Sequence, residues 1–192
     1  MGAGYISFTS TYTTMTVSRL RHLCFSIFLI AGLAFTGCQT RKEALPRDKE
    51  QITSLLDQFN QAAATGNFDA YFDFFADDAV FIGTDGTERW SKTDFMQWSK
   101  PYFESGKAWD FTAIERHISF SKTGETAWFD ELLETQMKLC RGSGVLVRTG
   151  NDWKINQYVL SMTIPNSLTD TVVNLKSGIE SKLIKEIKSS LH

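Results

Sequence analysis

The sequence predicts an α+β fold, with helices first and strands after them. Three observations carry that expectation. Apolar residues between Lys49 and Tyr102 recur mostly at helical spacing, while those from Trp109 to Thr163 lie in long β-rich runs. Helices and strands are therefore segregated, which excludes the alternation of a parallel α/β sheet. Turn-forming clusters divide the β-rich half into pieces of strand length. The composition fits one domain, or at most two small ones: 192 residues, 42% hydrophobic and 22% charged. A net charge of −2 excludes general nucleic-acid binding, which needs a basic face to displace counterions. Fifteen Phe, five Tyr and five Trp predict a large apolar core or a pocket walled by rings.

The chain opens on a leader. Arg19 and Arg21 precede an apolar run, Leu23 to Phe35, and no acid occurs before Glu43. This pattern is that of a secretory signal peptide over residues 1–37, too short to span a bilayer comfortably. Met15 gives it the usual compact form and is a candidate start. The run ends Leu33-Ala34-Phe35-Thr36-Gly37-Cys38, which resembles the bacterial lipobox, with Phe35 where Leu is usual. The resemblance implies lipidation (palmitate) at Cys38 and a membrane anchor on the periplasmic side of the cell envelope. Gln39, in place of an Asp that would retain it at the inner membrane, favours the outer membrane. Removing residues 1–37 deletes two arginines and no acid, so the exported part is more acidic than the whole. It keeps Cys140 as its one unmodified thiol, read as buried and inert.

Residues 38–48 are polar, contain Pro46 and read as a tether. Ile52, Leu55, Leu56, Phe59, Ala62 and Ala63 make one helical stripe, ended by Gly66. Asn67 caps a second, short helix carrying Phe68, Tyr71, Phe72 and Phe75, with Asp77-Asp78 at its end. Ala79 to Thr84 is a short strand and Asp85-Gly86 a turn. Ser91-Lys92-Thr93-Asp94 is a capping box opening a third helix, with Phe95, Trp98 and Tyr102 on one face. Strands are expected at Trp109–Ser121, Thr126–Met137, Val145–Arg148 and Trp153–Thr163. Lys122-Thr123-Gly124, Arg141-Gly142-Ser143-Gly144 and Gly150-Asn151-Asp152 separate them. Trp109 and Phe111 have one parity, Ile114, Ile118 and Phe120 the other, so a β-bulge is expected between them. Beyond Pro165, residues 166–192 hold an amphipathic helix with Leu168, Val172, Leu175, Ile179, Leu183, Ile187 and Leu191. Packing on its own domain or on a partner is preferred to membrane binding, because Glu180 and Glu186 share its polar face.

This order of elements, with Phe75-Ala76-Asp77-Asp78-Ala79-Val80-Phe81 and the closing Trp153-Lys154-Ile155, resembles the nuclear-transport-factor-2-like superfamily over about residues 49–165. SnoaL-like cyclases and ketosteroid isomerase belong to it. The resemblance implies a cone: a strongly curved antiparallel sheet wrapped over three helices, with a pocket at its wide end. Members are often dimers, some are enzymes and many only bind, so fold does not settle function.

The candidate chemistry is sparse. Along the second long strand, Trp128, Asp130, Leu132 and Glu134 share one face, and Ala127, Phe129, Glu131 and Leu133 the other. Either Glu131 is buried on the core face or Asp130 beside Trp128 is. A carboxylate among rings has a raised pKa, suited to acid/base work. The bland alternative is a surface acid paired with Arg116 or Arg141. His117 is the candidate imidazole base, and His-Asp dyads occur in SnoaL-like cyclases and dehydratases. A structural or exposed histidine is the bland alternative. Arg141 resembles superfamily arginines that bind anions. Gln157 and Val159 stand where many members carry His. No His pair or Cys cluster has metal-ligand spacing, no cofactor is implied, and no Gly-x-Ser-x-Gly turn marks a hydrolase.

The leading reading is a lipid-anchored domain holding a small, partly apolar ligand between Tyr71, Trp98, Trp109 and Trp128, oriented by Asp130, Arg141, His117 and Gln157. One alternative is an isomerase, cyclase or dehydratase with Asp130 or His117 as general base. Another is a non-catalytic module whose outer sheet face forms a homodimer.

Overall fold

The computed structural model describes Met1 and residues 45–191. The leader and Cys38 lie outside the described residues. The chain divides into two compact units, Met1–Asp48 and Lys49–His192. The second carries the fold described below. Residues 45–64 are helical (α1), so the segment expected as a tether is helical from residue 45 onward. Ile52, Leu56, Phe59 and Ala63 bury one face of α1, as their spacing requires. Gly66 ends this stretch at a φ of +66°, and a Cβ there would lie 2.7 Å from the carbonyl carbon of Gly106.

Helix α2 (Phe68–Asp73) starts as expected, with Asn67 Oδ1 accepting the Ala70 N–H. It ends sooner than expected. Phe75 is already in strand β1 (Phe75–Ile82), paired with Ile155, and Asp77-Asp78 fall in an irregular stretch of that strand. The Phe74 carbonyl accepts the Ile155 N–H, and that long-range bond overrides the helical spacing of Phe75. A three-residue strand, β2 (Arg89–Ser91), pairs antiparallel with β1. Ser91 caps α3 (Lys92–Glu104) through the predicted box: its Oγ accepts the Asp94 N–H and donates to Asp94 Oδ2 at 2.7 Å. Phe95 and Phe103 are buried, whereas Trp98 and Tyr102 turn outward.

Four long strands follow: β3 (Phe111–Phe120), β4 (Thr126–Thr135), β5 (Lys138–Thr149) and β6 (Asp152–Met162). The six strands form one sheet in the order β2-β1-β6-β5-β4-β3, antiparallel except for the β1–β6 pair. The bulge in β3 lies between Ala113 and Glu115. Ile114 is the extra residue and stands 62% exposed, while Phe111 before it and Ile118 after it face the core side.

Arg141-Gly142-Ser143-Gly144 is not a turn but the middle of β5. The turn sits at Gln136-Met137, where Thr135 Oγ1 accepts the Met137 N–H and donates to the Lys138 carbonyl. The two glycines serve as spacers. A Cβ at Gly142 would lie 2.7 Å from the Tyr158 hydroxyl, and one at Gly144 would lie 2.8 Å from the Phe129 ring.

The core joins Ile52, Leu56 and Phe59 of α1, Tyr71 and Phe72 of α2, and Phe95 and Phe103 of α3 to Phe129, Leu133, Leu146, Ile155 and Tyr158 of the sheet. After a 3-10 turn at Asn166–Leu168, helix α4 (Thr169–Ser190) forms over the predicted stretch. It buries no residue, and Leu175 and Ile179 stand well exposed. Among the described residues no helix is long and apolar enough to cross a membrane.

Candidate functional site

Rings dominate one end of the sheet. The β1–β2 connection is shaped locally: Asp85 Oδ1 accepts both the Thr87 N–H and the Thr87 hydroxyl. These bonds hold the exposed Asp85 carboxyl below its ordinary range, the hydroxyl bond contributing most. The connection leads through Trp90 into α3, whose first turns carry Phe95 and Trp98. Trp109 and Phe111 enter from the start of β3. Phe81, Trp90, Trp98 and Trp109 gather around Phe95 with their planes nearly parallel. Phe95 lies 3.9 Å from Phe81 at 16°, 5.6 Å from Trp90 at 17°, and 5.9 Å from Trp109 at 22°. Trp90 and Trp98 stack at 4.7 Å.

Beside these rings is an open cavity of about 170 Å³. Phe81, Trp90, Phe95, Trp98, Trp109 and Phe111 line it, with Met137 and Leu160 completing the apolar wall. Gly83, Thr84, Glu88 and Gln136 are the remaining lining residues. Among them is one carboxylate, Glu88, and no Lys, Arg or His. Trp98 is 41% exposed, so the slot is reachable from solvent.

A second constellation lies deeper. Glu131, 1% exposed, accepts from Arg116 Nε at 2.7 Å. Arg116 Nη1 also donates to Asp57 Oδ1 at 2.8 Å and to the Thr53 carbonyl at 3.1 Å, tying α1 to β3 and β4. Arg116 Nη2 is buried without a hydrogen bond, and the buried Tyr158 hydroxyl sits beside Glu131 and couples to it. Burial raises the Glu131 carboxyl pKa, and the Arg116 guanidinium only partly offsets it. Burial likewise pushes the Tyr158 phenol well up, with Glu131 adding to the shift, and pushes up the Tyr71 phenol inside the ring cluster. Glu131 lines neither of the two described cavities, and its bonds through Arg116 tie α1 to the sheet.

The expected site residues part company. Trp98 and Trp109 are in the cavity wall, and Tyr71 sits behind it, 5.4 Å from Trp109. Trp128, Asp130, Arg141, His117 and Gln157 are on the opposite face of the sheet. Asp130 is directly across from His117, Leu132 from Arg141, and Val145 from both Trp128 and Gln157. Asp130 and His117 are exposed, and His117 Nε2 pairs with Glu115 Oε1 at 2.8 Å. The alternation along β4 is resolved in favour of Glu131 as the inward acid. Glu88 and Trp90, just ahead of the capping box, line the cavity. Phe81, Gln136 and Met137 carried no site signal, because only the sheet order brings the β4–β5 turn near β1. Cys140 is buried, with Thr135 Oγ1 3.5 Å from its sulfur. Among the described residues no group of three His, Cys, Asp or Glu side chains could hold a metal ion.

Comparison with known proteins agrees with the fold. A candidate aromatic ring hydroxylase from Novosphingobium aromaticivorans superposes with a TM-score of 0.54 at 19% identity, over 62% of this chain and 91% of its own. An NTF2-like protein of unknown function from Pseudomonas putida gives 0.54 at 14%, over 64% and 90%. A candidate dehydratase of the NTF2-like family from Streptomyces avermitilis gives 0.53 at 18%, over 62% and 99%. At these identities the likeness is one of fold. No curated protein matches the chain in sequence. The sequence profile of the SnoaL-like domain matches residues 52–165, the stretch that contains most of α1, the whole sheet and the ring cluster, and the chain belongs to that family.

Proposed function

We propose that this protein is an exported, lipid-anchored ligand-binding domain that holds a small, partly apolar molecule in the ring-walled cavity. The cavity itself carries the reading. It joins nearly parallel aromatic planes to a few polar groups, the usual make-up of a small-molecule site. General-base catalysis by Asp130 or His117 gains nothing from the geometry, since both lie on the exposed face away from the cavity. The lipobox-like Leu33–Cys38 segment supports anchoring at Cys38, in the cell envelope and with the outer membrane favoured. Native mass spectrometry of the full chain from its own host tests ligand binding. A co-purified molecule, lost on Trp98→Ala with the fold intact, is the expected result. Retention of that molecule by both Trp98→Ala and Trp109→Ala would refute the site. Cys38→Ser should abolish labelling by radioactive palmitate, and normal labelling would refute the anchor.

A homodimer through the outer sheet face is a compatible second reading. Trp128 stands 48% exposed there, next to half-buried Leu132, Val145 and Val159.

A further inference from the structure

We propose that the cavity selects a one-ring organic cation, an aromatic amine-bearing compound whose ammonium group is held by Glu88, and discriminates against carboxylates and phosphates. The inference rests on the ligand-binding reading above and adds the class of ligand.

Size comes first. The cavity of about 170 Å³ is close to the roughly 150 Å³ that encloses a benzene-sized molecule, so its enclosed part suits one ring. Charge comes next. Glu88 is the only charged residue in the wall, with no Lys, Arg or His to receive an anion. Aromatic rings add to that bias, because their faces attract cations.

The placement of Glu88 is the third observation. Its Oε2 accepts the Asp85 N–H at 3.1 Å, which fixes the carboxylate at the cavity wall. Gly83 makes this possible: a Cβ there would lie 2.2 Å from Glu88 Oε2, so the acid folds over bare backbone. Glu88 Oε1 has no hydrogen-bond partner among the described residues. One oxygen is therefore anchored and the other is free for a donor. Thr84 and Gln136 are the neutral polar side chains beside it in the wall. A charge-assisted bond to such an oxygen is about twice as strong as a neutral one, so an ammonium outcompetes a hydroxyl at this position.

Three near-isosteric probes test this on the full chain at pH 7, by quenching of tryptophan fluorescence: phenethylamine, 2-phenylethanol and phenylacetate. Phenethylamine should bind about tenfold more tightly than 2-phenylethanol, the size of one charge-assisted hydrogen bond, and phenylacetate weakest of all. Glu88→Gln keeps an acceptor for the Asp85 N–H. It should weaken phenethylamine about tenfold and leave 2-phenylethanol within about twofold. Gly83→Ala, which displaces the carboxylate, should act in the same direction. Equal binding of all three probes, or an unchanged order in Glu88→Gln, would overturn the choice of a cation and leave the pocket standing. Binding of none would overturn the pocket reading together with this inference.

Discussion

Arg116→Leu is the sharpest perturbation of the interior. The arginine side chain is 9% exposed and Glu131 is wholly buried, so the substitution leaves a carboxylate without its counter-charge inside the core. Removing one partner of such a pair costs about 3–5 kcal/mol. Loss of the bond to Asp57 adds little, since that carboxylate is mostly in water. In urea, at a slope of about 2 kcal/mol/M, the midpoint should fall by roughly 1.5–2.5 M, followed by far-ultraviolet circular dichroism. The loss should depend on pH. Burial holds the folded-state pKa of Glu131 above its unfolded value, so the native state binds the extra proton. Stability from this group then falls as pH rises from the unfolded to the folded pKa, and stays low above both. Without Arg116 the folded pKa climbs further, so the variant should lose more stability than the wild type as pH rises above the ordinary carboxyl range. Arg116→Leu/Glu131→Leu should recover most of the loss, because it removes both buried charges. A loss below about 1 kcal/mol, independent of pH and not repaired by the second substitution, would refute the reasoning.

Three further outcomes are expected. Gly142→Ala should destabilise by about 1–3 kcal/mol in urea melts, because its Cβ would press against the Tyr158 hydroxyl and Glu131 Oε1. A cost near zero would mean the spacer argument fails. Ser91→Ala removes the cap of α3 and should cost about 1 kcal/mol, with Ser91→Asp restoring most of it. Trp128→Glu should turn a dimer into a monomer in sedimentation equilibrium if the outer face pairs two copies, and an unchanged association constant would refute that interface.

Most of the fold was legible because its signals are local. Asn67 and Ser91 cap helices through atoms three residues away, and the parity change between Phe111 and Ile118 sets the bulge. The exceptions show where locality ends. Arg141–Gly144 has the composition of a turn, yet Gly142 and Gly144 are in a strand because Tyr158 and Phe129 need the space above them. Phe75 continues a helical stripe, yet a backbone bond from β6 draws the chain into a strand.

The candidate site was legible only in part. Alternation along β4 sorted Trp128 and Asp130 from Phe129 and Glu131, but could not say which set faces inward. The Ala127, Phe129, Glu131 and Leu133 set looks the more apolar, yet each set holds an aromatic ring and at least one acid, so which acid is buried stayed open. Arg116 separates them: it arrives across from Glu131 on β3 and reaches Asp57 on α1, 59 residues away in sequence. The sequence by itself determined the segregated α+β order, the caps, the bulge and the supply of rings, since each depends on a few consecutive residues. Only the tertiary structure decided which acid is buried, which tryptophans share a cavity and which carboxylate stands at its wall, since those depend on pairs brought together by sheet order.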